Sequence, residues 1–287
     1  MNRRAMLRSS MLAGLFLYAG GAGRSLKAKS KEHSMKLTLL RHATLLIEMG
    51  GKKILVDPML SAQGAMEPVQ QAGNERRIPM TPLPLSEKEL ELLLHQVDAV
   101  LITHTHRDHW DTEAQRRIPK HKPLFCQPAD EEKLKAQGFT RVQAVADTHA
   151  WEKLTISRTG GQHGTGEIGN KMGPVSGFVL QDARQRLYIA GDTIWCDEVR
   201  HALTAHQPDV VVVNAGAAQF LQGDPITMTA EDVLQVAQAV PSSRIVAVHL
   251  DTVNHCLLTR DELRTFLAGH KLTGRSLVPA DGESLSF

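Results

Sequence analysis

Four side chains that can bind metal follow one strand-like segment, and they constrain the fold more than any other feature. Residues 97–103 are predicted as a buried strand, and the chain continues His104-Thr105-His106-Arg107-Asp108-His109. On an extended chain, side chains at i and i+2 point to the same side, so His104 and His106 can share one ion. Asp108 and His109 lie beyond the strand end, where a turn can direct them to a second ion. A helix fits less well, since His104 would not share a face with His106 and His109.

Three further candidate ligands lie in comparable positions. His163 is in the glycine-rich segment 160–166, Asp192 follows a predicted strand at residues 187–190, and His249 follows a predicted strand at residues 244–248. Strand ends on one edge of an α/β sheet converge, and such folds place their sites there. We therefore expect these residues to lie beside the His104–His109 cluster.

The order of predicted elements after residue 34 indicates an α/β fold. Strand patterns occur at residues 36–40, 45–48, 53–56, 97–103, 153–158, 176–180, 187–190, 210–213 and 244–248. Helices are predicted at residues 86–95, 111–117, 129–137, 198–206, 229–240 and 259–267, with capping residues Ser86 and Thr229 at two of the starts. A long Pro- and Gln-containing loop, residues 58–84, separates the first strands from the first helix. Hairpins followed by strand-helix-strand units, twice over, predict two sheets covered by helices on both outer faces.

The candidate ligands in this order resemble the five motifs of the metallo-β-lactamase superfamily, over nearly all of the chain after residue 31. The resemblance implies the metallo-β-lactamase fold, an α/β four-layer αββα sandwich of two mixed β-sheets flanked by helices. It also implies two divalent ions with seven ligands. The first ion takes His104, His106 and His163; the second takes Asp108, His109 and His249; Asp192 bridges them, and Asp57 braces the site behind the ligands.

The segment Arg41-His42-Ala43-Thr44, together with the strand end at Asp57-Pro58, is similar to one branch of that superfamily. The branch holds ascorbate-phosphate lactonases and N-acyl phosphatidylethanolamine phospholipases, and it commonly has a glycine where Arg41 stands here.

Imidazole and carboxylate ligands suit Zn²⁺ best, with Mn²⁺ or Fe²⁺ as alternatives.

Two such ions can hold a bridging hydroxide that attacks an ester, lactone, amide or phosphodiester. Asp108 can bind the second ion and orient the hydroxide, so Asp108 is a catalytic candidate. The alternatives are a metal-binding module without catalysis and a nuclease of the same superfamily.

Two histidines outside the motifs have two interpretations each. In the first interpretation, His42 contacts substrate or donates a proton to the leaving group, which makes it the second catalytic candidate. In the second, it is a buried residue that braces the first hairpin. His255 either reaches the cleft or, as we favour, is a loop histidine that binds backbone.

Three cysteines are too few for a disulfide framework, and none of them is in a Cys-x-x-Cys pair. We predict that Cys126, Cys196 and Cys256 are small buried apolar side chains. A contact between Cys196 and Cys256 stays open, because both follow candidate metal ligands.

The first residues predict an export signal. Arg3, Arg4 and Arg8 precede an uncharged stretch, residues 9–23, that ends in small residues. This order is typical of a secretory leader, and the paired arginines resemble the twin-arginine signal. We therefore predict an export signal and linker at residues 1–31, a hydrolase domain at residues 32–287, and a periplasmic location. An uncleaved amphipathic start is the alternative.

The charge of the chain bears on its partners. The net charge of +2 becomes −5 after residue 31, where 26 basic and 31 acidic side chains remain. An acidic domain does not suit the phosphate backbone, so no nucleic acid is expected. We expect a small-molecule or lipid-like substrate and no stable transmembrane anchor once the leader is removed, while the sequence leaves the oligomeric state open.

Overall fold

A computed structural model describes residues 35–287, and the predicted export signal lies outside the described residues. The domain contains two seven-stranded sheets. Within residues 35–287, no helix has both the length and the apolar character needed to span a membrane.

The first sheet has the strand order β14-β1-β2-β3-β4-β5-β6. The first three strands form an antiparallel meander, β3 to β6 run parallel, and β14 pairs antiparallel with β1. The strands are β1 (Met35–Arg41), β2 (Thr44–Met49), β3 (Lys52–Val56), β4 (Ala99–Ile102), β5 (Leu124–Cys126), β6 (Val142–Ala144) and β14 (Ser284–Ser286).

The second sheet has the order β13-β12-β11-β10-β9-β8-β7. The strands β7, β8, β9 and β10 pair antiparallel with one another in that order. The strands β10, β11, β12 and β13 pair in parallel. The strands are β7 (Thr148–Trp151), β8 (Leu154–Thr159), β9 (Gly177–Gln181), β10 (Arg186–Ile189), β11 (Val210–Asn214), β12 (Arg244–Val248) and β13 (Ser276–Leu277).

Helices cover the outer face of each sheet. They are α1 (Glu87–Gln96), α2 (Thr112–Arg117), α3 (Glu131–Ala136), α4 (Gly166–Met172), α5 (Asp197–His206), α6 (Ala230–Ala239) and α7 (Arg260–Gly269), with a 3₁₀ turn at Pro128–Asp130. Ser86 and Thr229 cap these helices as predicted, and both form a capping box, Ser86 with Glu89 and Thr229 with Asp232.

The side chains of the strands alternate between an inner core and two outer cores. Leu101 of β4 and Val212 of β11 lie in the inner core between the sheets. Val100 packs outward in the core that also holds residues of α1 to α3, and Val211 packs outward with residues of α5 to α7. Strands buried on both faces are apolar throughout, which is why β4 and β11 are readable from sequence. The predicted four-layer αββα sandwich is confirmed.

The parallel strands bring the candidate site together. β3 pairs in parallel with β4, and β10, β11 and β12 pair in parallel, so within each sheet these strands end at one edge. Asp57, Asp192 and His249 follow β3, β10 and β12, and the His104–His109 segment follows β4. The strand ends thus supply candidate ligands from both sheets.

Candidate metal centre

The structure brings all seven predicted ligands together, in groups whose donor atoms lie within 4.8 Å of one another. One group is His104, His106 and His163. His104 Nε2 and His106 Nδ1 are 3.0 Å apart. Imidazole nitrogens that face each other at this distance fit a shared cation.

The second group contains three more of the predicted ligands and one further histidine. It consists of His42, Asp108, His109 and His249. His109 Nε2 lies 3.3 Å from His249 Nε2, and Asp108 Oδ2 lies 3.7 Å and 3.6 Å from these two nitrogens. This set offers imidazole and carboxylate donors for a second cation.

Asp192 lies between the two groups. Its carboxylate is 3.4 Å from His163 Nε2 and 3.8 Å from His104 Nε2 of the first group. It is also 3.2 Å from His109 Nε2 and 3.3 Å from His249 Nε2 of the second group. One carboxylate with two oxygens can therefore contact both cation positions.

The outer nitrogens of the imidazoles have fixed partners. His109 Nδ1 donates to Asp57 at 2.9 Å, and His163 Nδ1 donates to the Ile226 carbonyl oxygen at 2.8 Å. His104 Nδ1 lies 3.1 Å from Thr103 Oγ1, and His249 Nδ1 lies 3.5 Å from Cys256 Sγ. Such contacts hold the ring and direct Nε2 toward a metal, as in known metal sites. The seven-residue set thus fits divalent cations.

Two glycines permit the backbone path of the site. Gly164 follows His163 with φ +90°, and a Cβ there would lie 2.7 Å from Ile226. Gly191 precedes Asp192 with φ +70°, and a Cβ there would lie 2.7 Å from the Ser176 carbonyl oxygen. Only glycine accommodates both the positive φ and the close approach.

Three site residues without this freedom also adopt a positive φ: His42 at 58°, Asp57 at 42° and His249 at 68°. His249 N donates to the His42 carbonyl oxygen at 2.9 Å, which holds the two strained residues together. Strain of this kind persists only where the surrounding structure enforces it, and it concentrates at functional sites.

The site carries strong electrostatic coupling. Burial would raise the pKa of Asp192, but His109 and His249 beside it outweigh burial and hold this pKa well below its usual range. Burial lowers the pKa of His104 well below its usual range, and it also lowers that of His163. Asp192 is therefore ionised and these two imidazoles are neutral, which is the protonation that metal ligands require.

The pKa values of His109 and His249, in the second group, are raised, unlike those of His104 and His163. Burial alone would lower the pKa of His109, but Asp192, Asp108 and Asp57 outweigh burial and raise it to about 10. The carboxylates likewise raise the pKa of His249 well above its usual value, against burial.

His42 is fully buried, and it reaches the site through another side chain. Its Nε2 lies 3.2 Å from Asp108 Oδ2, and its ring lies 3.6 Å from the His249 ring between centroids. Burial lowers the pKa of His42 to about 3, so the ring is neutral at physiological pH. His42 follows β1, the first hairpin strand, so it is a buried residue that contacts the candidate ligand Asp108.

His255 differs from the interpretation favoured by sequence. Only 6% of the residue is exposed, and Nδ1 has no hydrogen-bond partner within residues 35–287. The expectation that the ring binds backbone is therefore wrong. The ring lies against Phe220 instead, with a centroid distance of 5.7 Å.

All three cysteines are free, so the open alternative of a Cys196–Cys256 disulfide is not realised. Cys126 and Cys196 are buried as predicted, whereas Cys256 is only partly buried. Cys256 also lies close to the candidate ligand His249 in space, with 3.5 Å between Sγ and Nδ1.

Sequence reasoning missed Asn214 and the role of Thr103. Asn214 Nδ2 donates to Asp192 Oδ1 at 2.6 Å. Asn214 is the last residue of β11, so it lies at the same sheet edge as Asp192 and His249, which follow β10 and β12. A polar residue that closes an apolar strand was the available signal. Thr103 donates to Asp57 from both N, at 2.8 Å, and Oγ1, at 2.7 Å.

Comparison with known proteins agrees with this geometry. A family model described as a beta-lactamase superfamily domain matches residues 52–250, a range that contains Asp57 and all seven candidate ligands. The chain belongs to the beta-lactamase superfamily. The resemblance stated from the motifs is confirmed.

Similar proteins within the superfamily cover the domain closely. UPF0173 protein YddR of Bacillus subtilis (strain 168) is 37% identical over 257 residues, which are 88% of this chain and 100% of the relative. A solved structure of a possible metal-dependent hydrolase from Veillonella parvula DSM 2008 has a TM-score of 0.85 and 34% sequence identity. The match covers 88% of this chain and 100% of that one. The structure of isothiocyanate hydrolase from Delia radicum gut bacteria has a TM-score of 0.83 and 39% sequence identity. The match covers 88% of this chain and 99% of that one. The chain is thus a member of a family of metal-dependent hydrolases.

Proposed function

We propose that the protein is a hydrolase with two divalent ions, most suitably Zn²⁺. His104, His106 and His163 would hold the first ion, Asp108, His109 and His249 would hold the second, and Asp192 would contact both. The position of Asp192, within 3.8 Å of imidazole nitrogens from both groups, is the observation that carries the proposal. When bound, the ions activate water near neutral pH and polarise the bond under attack.

The side chains have separate tasks in this proposal. Asp108 is 8% exposed and is the carboxylate on the solvent side of the site, so it orients the attacking water. His42 holds Asp108 through the contact at Oδ2 and does not itself meet the substrate, because it is fully buried. Asp57, behind His109, fixes the orientation of that ring.

The substrate class that we propose first is a small uncharged electrophile, and an isothiocyanate is the first probe. The 39% identity to a solved isothiocyanate hydrolase, over 88% of this chain, supports that choice. Water adds to the central carbon of R–N=C=S, the C–N bond breaks, the nitrogen takes both protons, and the products are R–NH₂ and carbonyl sulfide. Esters, lactones, amides and phosphodiesters are the other bonds that such a site can attack.

The test combines metal content with turnover. Protein reconstituted separately with Zn²⁺, Mn²⁺ and Fe²⁺ is analysed for bound metal and assayed on benzyl isothiocyanate and on neutral esters, lactones, amides and phosphodiesters. We expect two ions per chain and release of benzylamine. Two bound ions with no hydrolysis of any probe would favour a metal-binding module without catalysis.

Replacement of His42 tests how Asp108 is held. We expect His42→Ala to lower kcat roughly 10- to 100-fold, because loss of a group that orients a metal ligand has effects of that size. We expect His42→Gln, which keeps a side-chain N–H, to recover part of the loss, and His95→Ala, on the exposed face of α1, to have no effect. Metal analysis decides the role: loss of one ion in His42→Ala would make His42 a ligand rather than a positioning residue.

We also propose that the protein is exported to the periplasm by the twin-arginine route. The supporting feature is the order of Arg3-Arg4, an uncharged stretch and small residues before the domain. That route carries folded proteins, so metal can be loaded before export. We expect Lys-Lys in place of Arg3-Arg4 to keep the protein in the cytoplasm, as measured by fractionation. Unchanged export would identify another route.

A further inference from the structure

The side-chain amide of Asn214 lies against the carboxylate of Asp192. Asn214 Nδ2 donates to Asp192 Oδ1 at 2.6 Å, and each of the two residues is 2% exposed. A carboxylate oxygen can only accept, so this contact fixes the amide with Nδ2 toward Asp192. A hydrogen bond to an ionised acceptor is stronger than one between neutral groups. Because both residues are buried, water has little access to replace the amide.

The two oxygens of this carboxylate have different neighbours. Oδ1 faces Asn214 Nδ2 and, at 3.3 Å, His249 Nε2. Oδ2 lies 3.2, 3.4 and 3.8 Å from the Nε2 atoms of three other candidate ligands, in this order: His109, His163 and His104. Rotation about the Cβ–Cγ bond would exchange the two oxygens. The hydrogen bond from Asn214 opposes that rotation, so it sets which oxygen of Asp192 faces which ligands.

Asn214 differs in kind from the other groups around Asp192. In the described part of the chain, the other side chains that form hydrogen bonds or ion pairs with this carboxylate are imidazoles of candidate ligands. Each of them faces Asp192 with Nε2, the nitrogen directed toward an ion position. An imidazole nitrogen that binds a metal has no hydrogen to donate. Asn214 is therefore the donor that stays with Asp192 when the ions are bound.

The backbone of Asn214 is fixed by its neighbours. Asn214 pairs with Val248, the residue before a candidate ligand, in the parallel pair of β11 and β12. Its carbonyl oxygen accepts a hydrogen bond from Met228 N at 3.1 Å. Ile226, two positions before Met228, accepts from His163 Nδ1 at 2.8 Å. The segments that hold Asn214 thus also hold ligands of both groups, so the amide starts from a well-defined position.

We propose that Asn214 is a positioning residue that fixes the carboxylate of Asp192 between the two ion positions. A neutral donor suits this place, because a cationic side chain would stabilise the carboxylate but repel the ions. Without the amide, the carboxylate turns more freely and holds one ion at the expense of the other. The proposal rests on the proposed metal centre, to which it adds a residue that binds no ion itself.

Metal binding by Asn214→Leu tests this role, since leucine has the same branching and no donor. Zn²⁺ affinity is measured by competition with a chelator, and the visible absorption of the Co²⁺-loaded protein reports the arrangement of the ligands. We expect the more weakly held ion to bind roughly 10- to 100-fold less tightly, and the Co²⁺ spectrum to change. Asn214→Ala, which only removes atoms, makes the same test if leucine prevents folding.

Val213→Ala is the matched control for a general loss of stability. Val213 is the preceding residue of β11, is buried, and packs in the outer core with residues of α5 to α7. Its truncation leaves a cavity in that core, so the metal-free protein should unfold at a lower denaturant concentration. We expect the Zn²⁺ affinity and the Co²⁺ spectrum of this variant to match those of the wild type.

The outcomes separate this inference from the proposed reaction. Wild-type affinity and spectrum in Asn214→Leu would overturn the role of Asn214 and leave the proposed reaction standing. Equal losses of affinity in Asn214→Leu and Val213→Ala would also overturn it, because the effect would then be one of stability. Weakened metal binding in Asn214→Leu alone, in a protein that hydrolyses no probe, would support the role of Asn214 and refute the reaction. A wild type that binds no divalent ion would refute both.

Discussion

Asp192→Ala is expected to abolish hydrolysis and to leave at most one ion bound to each chain. The carboxylate is 2% exposed and contacts imidazole nitrogens of both ligand groups, so no neighbouring side chain replaces it. Its loss removes a ligand from each ion and leaves Asp108 as the carboxylate that faces both His109 Nε2 and His249 Nε2. If each metal contributes several kcal/mol to the transition state, the rate falls roughly a thousandfold or more.

Metal analysis and kinetics on the same preparation check this expectation. Asp197→Ala is a suitable control, because that carboxylate is 88% exposed at the start of α5, five residues further along the chain. We expect the control to keep two ions and full activity. Two ions retained by Asp192→Ala would refute the bridging role, and with it the proposed arrangement of the site.

Much of the fold was predictable because its strands are buried on both faces. β4 and β11 are continuous apolar runs, and Ser86 and Thr229 mark helix starts by their own chemistry. The candidate ligands were predictable for a related reason. A polar residue directly after an apolar strand has no place in the core, so at a strand end it indicates a site.

The shortest elements were not predicted. β5 and β6 have three residues each, too few to show a period, and β7 has four. α4 has no buried residue, so it lacks the apolar stripe by which a helix is found in sequence.

The contacts between distant segments were also beyond sequence reasoning. His255 and Phe220 are 35 positions apart and meet only because segment 217–225 folds back over the loop that follows β12. Hydrogen bonds from Asn254 to Val69 and Asn74 attach the same loop to residues 58–84. The long loop, β12 and segment 217–225 thus form one assembly beside the site, although no local pattern connects them.

Asp57 joins folding to metal binding, and Asp57→Ala is expected to impair both. Its buried carboxylate accepts hydrogen bonds from Thr103 N, Thr103 Oγ1 and His109 Nδ1. Alanine leaves these three buried donors without an acceptor, at a cost of roughly 3 to 5 kcal/mol in the free energy of unfolding. The ring of His109 also loses the contact that orients it, so metal affinity should fall roughly 10- to 100-fold.

Denaturant unfolding of the metal-free protein and competition with a chelator separate the two effects. Asp57→Asn keeps one acceptor oxygen but directs an amide N–H₂ toward a group that is itself a donor, so we expect a loss of stability between those of the wild type and alanine. Asp98→Ala is the control: Asp98 precedes β4 at the end of the sheet opposite to the site and accepts from Lys53 N at 2.8 Å. Its replacement should lower stability slightly and leave metal affinity unchanged. If Asp57→Ala unfolds like the wild type and binds metal as tightly, then Asp57 does not brace the site, and the orientation of His109 has another source.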